Sequence, residues 1–256
     1  MAETATYIYC LVESARKPSA AKVPRGLPAA TAPEFIDIGR RLWAVTADVP
    51  LGEYGAGRLD ERLKDFNWVA GIAIAHEAVV ERFASGKGAA VVPMKLFTMY
   101  SSRDRARADL ATRRREIDTV LKRIRGCREW GVRVTRVVAP AAPPKVEARS
   151  SGTAFLSAKK QARDEARSRL EQATGAAEDT FVTLAKLARE TYRRDAPSDA
   201  TTPPLVDAAF LVSDGRQARF KAAVKRAARI CGDAGAALVL TGPWPAYNFV
   251  QASERA

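Results

Sequence analysis

His76 is the single histidine among 256 residues, so neither a His-based catalytic triad nor a multi-histidine metal site can be assembled within one chain. His76-Glu77 lies in a segment of helical spacing, where a zinc-binding pair would need a second histidine at position 80, and that position is valine. His76 therefore reads as a helix residue packed or hydrogen-bonded against a sheet; a pH-sensitive contact is the other role open to it. Cys10, Cys127 and Cys231 are odd in number, far apart and without C-x-x-C spacing, and they read as small buried thiols. There is no G-x-x-x-x-G-K-[ST] loop and no G-x-G-x-x-G fingerprint. Gly52-Glu53-Tyr54-Gly55-Ala56-Gly57 is glycine-rich, but it follows Pro50 instead of leading from a strand into a tight turn. The carboxylate pair Asp60/Glu61 cannot be singled out as acid and base. No catalytic, cofactor-binding or metal-binding residue is expected, and the chain does not read as an enzyme.

The residues that stand out suit binding. The formal net charge is +13, and between Ser102 and Arg136 twelve Lys and Arg face five Asp and Glu, more than half of the whole surplus. Such a cluster suits an acidic protein partner, a solubilising face or a nucleic acid, and Arg113, Arg114 and Arg115 are its densest point. The second candidate is Thr241-Gly242-Pro243-Trp244-Pro245-Ala246-Tyr247-Asn248-Phe249. Two prolines fix φ and remove two donors, so this is no helix interior or central strand. Trp244, Tyr247 and Phe249 form either a rigid turn packed on the core or a partly exposed aromatic platform for a partner.

The elements that must position these residues follow from periodicity. A chain of this length suits one large or two medium domains, and 47% hydrophobic with 28% charged residues is ordinary for a folded protein. No stretch approaches the ~18 apolar residues of a membrane span. The first residues lack a basic start and an apolar signal core, so a cytoplasmic location is expected. Residues 6–12 read as a strand, 13–33 as a Pro/Gly-rich loop, and 34–38 with 42–49 as a hairpin around Gly39-Arg40-Arg41. A short helix over 58–66 precedes a second over 68–84, capped by Asn67, with Val69, Ile72, Ala73, His76, Val79, Val80 and Phe83 on one face. An extended run over 89–97, one basic helical segment ending at Gly126 and a strand over 130–138 complete the first half. The stretch 139–152 is rich in Pro and Ser and marks the boundary, giving domains 1–139 and 153–256 with a linker over 140–152. Beyond it, a seam of Ala166, Leu170, Ala173, Ala177, Phe181, Leu184 and Ala188 predicts a long helical region that Gly175 divides. A loop over 196–204, a strand over 205–212, a helix carrying Phe220, Val224, Ala227 and Cys231, and a strand over 236–241 follow. The fold class is α+β: two domains, each a mostly antiparallel sheet with helices on one face, ferredoxin-like in the first and with long helices in the second.

Taken together, these residues resemble the GvpL/GvpF family of gas vesicle proteins over nearly the whole chain. Tyr7-Ile8-Tyr9-Cys10-Leu11-Val12 is similar to the family's first strand, with Cys10 where glycine is expected. Trp68-Val69 followed by His76-Glu77-Ala78-Val79 is similar to its W-V…H-E-x-V segment. Val92-Pro93-Met94-Lys95-Leu96-Phe97 resembles its V-L-P-x-x-F-G run, with Leu96-Phe97 in place of Phe-Gly. Glu129-Trp130-Gly131-Val132 and the terminal T-G-P-W-P-A-Y-N-F complete the set. The resemblance implies a non-enzymatic accessory or minor structural protein of gas vesicle assembly. Its partners would be the small apolar shell protein and other accessory vesicle proteins, and it would be vesicle-associated, off the membrane and monomeric in isolation. A basic RNA-binding module is the alternative. It would display exposed aromatics on central strands, and residues 205–212 and 236–241 carry only Phe210.

Overall fold

The computed structural model describes residues 3–86, 88–137, 152–195 and 203–250. The chain divides into two compact units, residues 1–129 with 243–256, and residues 130–242. This differs from a linear division at 140–152, of which residues 140–151 lie outside the described residues. The stretch from Pro243 groups with the first unit, where Tyr247 and Asn248 hydrogen-bond to Glu77 and Glu129.

The first unit opens with β1 (Thr4–Glu13), β2 (Glu34–Gly39) and β3 (Leu42–Pro50). Short helices α1 (Leu51–Tyr54) and α2 (Ala56–Arg62) lead into α3 (Phe66–Ala84). Then come β4 (Val91–Pro93), β5 (Met99–Tyr100), α4 (Arg103–Thr112) and α5 (Arg114–Ile124). The sheet runs β2-β3-β1-β4, with β5 also on β1, and every pair is antiparallel. That is the order of a β-α-β-β-α-β sandwich in which a loop over 14–33 replaces the first helix. Helices cover both faces, not one. Tyr7, Tyr9 and Val45 pack with Ile72, Val79 and Val80 of α3, while Leu11 and Val92 meet Leu110, Ile117 and Val120 of α4 and α5. Eight consecutive residues of β1, Ala5–Val12, are accordingly buried, and the strand reads as a continuous apolar run instead of alternating.

Local chemistry fixes the details. In the β2–β3 hairpin Gly39, Arg40 and Arg41 all take positive φ. The basic segment is two helices, broken at Arg113 (φ −82°, ψ 10°), where the Arg114 guanidinium turns aside to donate to the carbonyls of Gly39 and Arg40. The loop over 14–33 is pinned to the sheet: Leu27 is buried, its N–H donates to the Tyr9 hydroxyl at 3.0 Å, and the Tyr54 hydroxyl donates to the Pro28 carbonyl at 2.8 Å.

The second unit holds most of β6 (Cys127–Arg136), then α6 (Gly152–Ala185), β7 (Glu190–Arg193), β8 (Val206–Ser213), α7 (Gln217–Asp233) and most of β9 (Ala236–Trp244). Its sheet runs β7-β8-β6-β9, so the full β-α-β-β-α-β order is realised here, with α6 and α7 as the two crossovers. The core joins Trp130, Val132 and Phe210 to Ala173, Ala177 and Leu184 of α6 and Phe220 and Val224 of α7. Three expectations change. Gly175 does not divide α6, because Ala173 and Ala177 on either side are buried and their packing outweighs the roughly 1 kcal/mol that glycine costs a helix. Ala166 and Leu170 lie on an exposed stretch instead of the core seam. Residues 190–193 leave the helical region to form β7, antiparallel to β8, a strand too short and too charged to register as apolar periodicity.

Gly26 carries the tightest local constraint in the first unit. Its φ is +80°, and an added Cβ would stand 2.3 Å from the Tyr9 hydroxyl. Gly26→Ala is expected to lower stability by roughly 2–3 kcal/mol through backbone strain and loss of the Tyr9–Leu27 bond, read by urea unfolding against wild type.

Candidate functional site

The site is built on α3. Asp65, two residues before the expected Asn67, is its N-cap: the carboxylate accepts from the N–H groups of Asn67 at 2.9 Å and Trp68 at 3.2 Å. Ile72, His76, Val79 and Val80 turn to the sheet. The neighbouring face, Ala73, Ile74, Glu77, Ala78 and Glu81, forms one wall of a cleft of about 890 Å³ whose other wall is Leu96, Pro243, Trp244 and Tyr247. Ile74 is 71% exposed and Trp244 43%. All of these residues belong to the first unit.

The second wall is held by hydrogen bonds from the last described residues, including the one-turn helix α8 (Tyr247–Val250). Glu129, buried, accepts from the Asn248 N–H at 2.9 Å and from the Asn248 side-chain amide. The Arg123 guanidinium donates to the Phe249 carbonyl, and the Tyr247 hydroxyl donates to Glu77 Oε2 at 2.5 Å. Leu96 is set by the turn after β4, where Phe97 adopts φ +63°, a conformation that glycine takes at no cost. Phe97 is kept there by stacking on Trp68, with ring centroids 5.9 Å apart.

His76 forms part of the cleft floor, ringed by Tyr7, Tyr9 and Tyr247 with centroids 5.7, 5.6 and 6.5 Å away. Its Nδ1 is 2.7 Å from the Tyr7 hydroxyl. That hydroxyl also accepts from the Phe97 N–H at 3.4 Å, and burial keeps it protonated by raising its pKa. The Tyr7 hydroxyl and Nδ1 share one hydrogen bond, and Nε2 is buried without a hydrogen-bond partner among the described residues. Burial pushes the His76 pKa down to about 4, opposed by the Met94 backbone. The ring is neutral near pH 7, and its place is that of a packed, hydrogen-bonded helix residue.

Two carboxylates lie along the cleft. Burial raises the Glu77 pKa, the Tyr247 hydrogen bond opposes this, Glu81 adds to it, and Arg128 counters. Glu81 Oε1 accepts from Arg128 at 2.6 Å. Glu77 Oε1 and Glu81 Oε2 are buried and have no hydrogen-bond partner among the described residues. No group of three or more His, Cys, Asp or Glu suited to a metal occurs among the described residues.

The residues singled out from the sequence separate. Trp244 and Tyr247 line the cleft, whereas Phe249 is 1% exposed and is a core residue, so it is no exposed anchor. Arg113, Arg114 and Arg115 do not form one patch. Arg114 is bonded to Asp118 at 2.8 Å and to the hairpin carbonyls, while Arg113 only approaches Asp109 and Glu116, at 3.9 and 3.6 Å, and Arg115 is exposed. Ile74 and Glu81 were not singled out from the sequence, and Glu77 and Leu96 stood out only as members of motifs. The available signal was Ile74, an isoleucine off the apolar face of an otherwise regular helix.

The depressed His76 pKa gives a stability term with a definite sign. The unfolded chain binds a proton below about 6.5 and the folded chain only below about 4, so this contribution is complete above that window and is lost as pH falls through it. Between pH 7 and pH 4.5 wild type is expected to lose roughly 2–3 kcal/mol more unfolding free energy than His76→Gln, measured by urea denaturation at both pH values.

Comparison with known proteins agrees with this architecture. The sequence model of gas vesicle synthesis protein GvpL/GvpF matches residues 5–251. Gas vesicle protein L of Streptomyces sp. (strain CB03234) is 28% identical over 222 residues, covering 83% of this chain and 81% of that protein. The crystal structure of gas vesicle protein GvpF from Anabaena sp. PCC7120 superposes with a TM-score of 0.65 at 14% identity, covering 97% of this chain and 96% of that one. The crystal structure of GvpF from Microcystis aeruginosa gives 0.66 at 13% identity, covering 96% and 99%. The two structures are alike in fold, and the match over 5–251 decides the rest: the chain belongs to the GvpL/GvpF family of gas vesicle synthesis proteins.

Proposed function

We propose that this chain is a non-enzymatic accessory or minor structural protein of gas vesicle assembly that binds the small apolar shell protein and other accessory vesicle proteins. The observation that carries the reading is the family match over residues 5–251, which spans both units. The geometry supports it. A cleft flanked by exposed Ile74 and Trp244 suits a protein ligand, and aromatic side chains are common anchors of such contacts. A subunit destined for an apolar shell has faces that must be covered before assembly, and a folded adaptor with an apolar cleft can cover one. No helix among the described residues is long and apolar enough to cross a membrane. The adaptor is proposed to act as a monomer in the cytoplasm, in association with the vesicle. The exposed arginines of α4 and α5 would speed encounter with acidic partner surfaces, an effect that salt screens.

Co-expression with the vesicle shell protein tests this. The shell protein is expected to remain soluble and to co-elute only when this chain is present, with less recovered at high salt. Arg113→Glu together with Arg115→Glu is expected to reduce recovery at low salt several-fold without changing the melting temperature; Arg114 is left intact because it holds the hairpin. Nucleic acid co-purifying while the shell protein does not would overturn the reading in favour of an RNA-binding module.

A further inference from the structure

The cleft has a charge opposite to that of the chain. In a protein of net charge +13, the only charged residues among the described residues lining it are Glu77 and Glu81. They stand one turn apart on α3, one and two turns beyond Ile74. Each has one bonded oxygen, Glu77 to Tyr247 and Glu81 to Arg128 and Ser85, and one buried oxygen with no partner among the described residues. The Arg128 guanidinium bonds Glu81 and acts on Glu77 only through its charge. From Ile74 to Glu81 the wall runs seven residues, about 10 Å or two helical turns. Its apolar part is Ala73, Ile74 and Ala78, two of them small enough to let a second backbone approach closely, with the Trp244 ring opposite.

We infer that the occupant of this cleft is an amphipathic helix of a partner protein, whose apolar face carries one lysine or arginine two turns from its apolar anchors. The anchors lie on Ile74 and Trp244, and the cation pairs with the Glu77 and Glu81 carboxylates, whose unbonded oxygens are turned inward and swing out to meet it. A neutral helix would leave those oxygens buried and unbonded, and an acidic one would add a like charge. A cation placed there offsets the desolvation that raises the Glu77 pKa, which makes the basic side chain a selection element as well as a contact. The inference deepens the partner-binding role proposed above and rests on it.

The test uses the full chain and two synthetic helical peptides with leucines at i, i+3 and i+4. One carries lysine at i+7 and the other norleucine there. Binding is followed by fluorescence anisotropy of labelled peptide. The lysine peptide is expected to bind wild type in the micromolar range. It should bind at least tenfold more weakly to Ile74→Asp and at least fivefold more weakly to Glu77→Gln/Glu81→Gln, while the norleucine peptide does not distinguish the latter from wild type. Ile74 is mostly exposed and glutamine keeps an acceptor for Tyr247, so both variants should fold, checked by circular dichroism. Absence of saturable binding by the lysine peptide, or equal binding of that peptide to wild type and the double glutamine variant, overturns the inference. So does a wild-type dimer in sedimentation that Ile74→Asp dissolves, because the occupant would then be a second copy. If the shell protein co-purifies equally with wild type and both variants, this inference fails while the vesicle-assembly reading stands.

Discussion

The buried carboxylate of Glu129 is the interaction on which the candidate site depends. It accepts from both the backbone and the side chain of Asn248, and so fastens the last described turn of the chain to the first unit. A bidentate contact of this kind fixes direction as well as position, and a buried charge left without it would be costly. With Asn248 held, Phe249 enters the core, Tyr247 reaches Glu77, and Pro243 and Trp244 become one wall of the cleft. Without it, the two prolines before Asn248 could not bind the segment to a sheet by backbone donors, because they have none.

The same constraint explains the placement of charge. The chain's excess of arginines is spent in part internally: Arg114 on the hairpin carbonyls, Arg123 on the tail, Arg128 on Glu81 and the Ala84 carbonyl. These guanidiniums act as multidentate donors to backbone oxygens, which lysine could do less well. His76, enclosed by three tyrosine rings, sits under the cleft as a neutral strut.

Much of this was legible in the sequence. The opening strand, the hairpin around Gly39-Arg40-Arg41 and the apolar face of α3 with Ile72, His76, Val79 and Val80 all correspond to observed elements, because each is set by local periodicity and turn chemistry. The terminal segment was legible as an unusual turn, and its partner Glu129 was visible as part of a separate motif. Their meeting was not legible, since 119 residues separate them and no local rule joins a carboxylate to a distant asparagine. β7 was lost for a related reason: Glu190, Thr191, Tyr192 and Arg193 are a strand only because β8 pairs with them. Phe97 escaped because its positive φ is sustained by the Trp68 ring and has no signature in its own residue type.

Position 74 offers the most direct measurement of the central claim, that the cleft beside α3 meets vesicle proteins. A photo-reactive phenylalanine analogue in place of Ile74 would be irradiated in cells making gas vesicles. The same analogue in place of Ile230, 59% exposed on α7, serves as the comparison. The account predicts a covalent adduct with a vesicle protein from position 74 and little or none from position 230. An adduct from position 230 alone, or none from position 74, would contradict it.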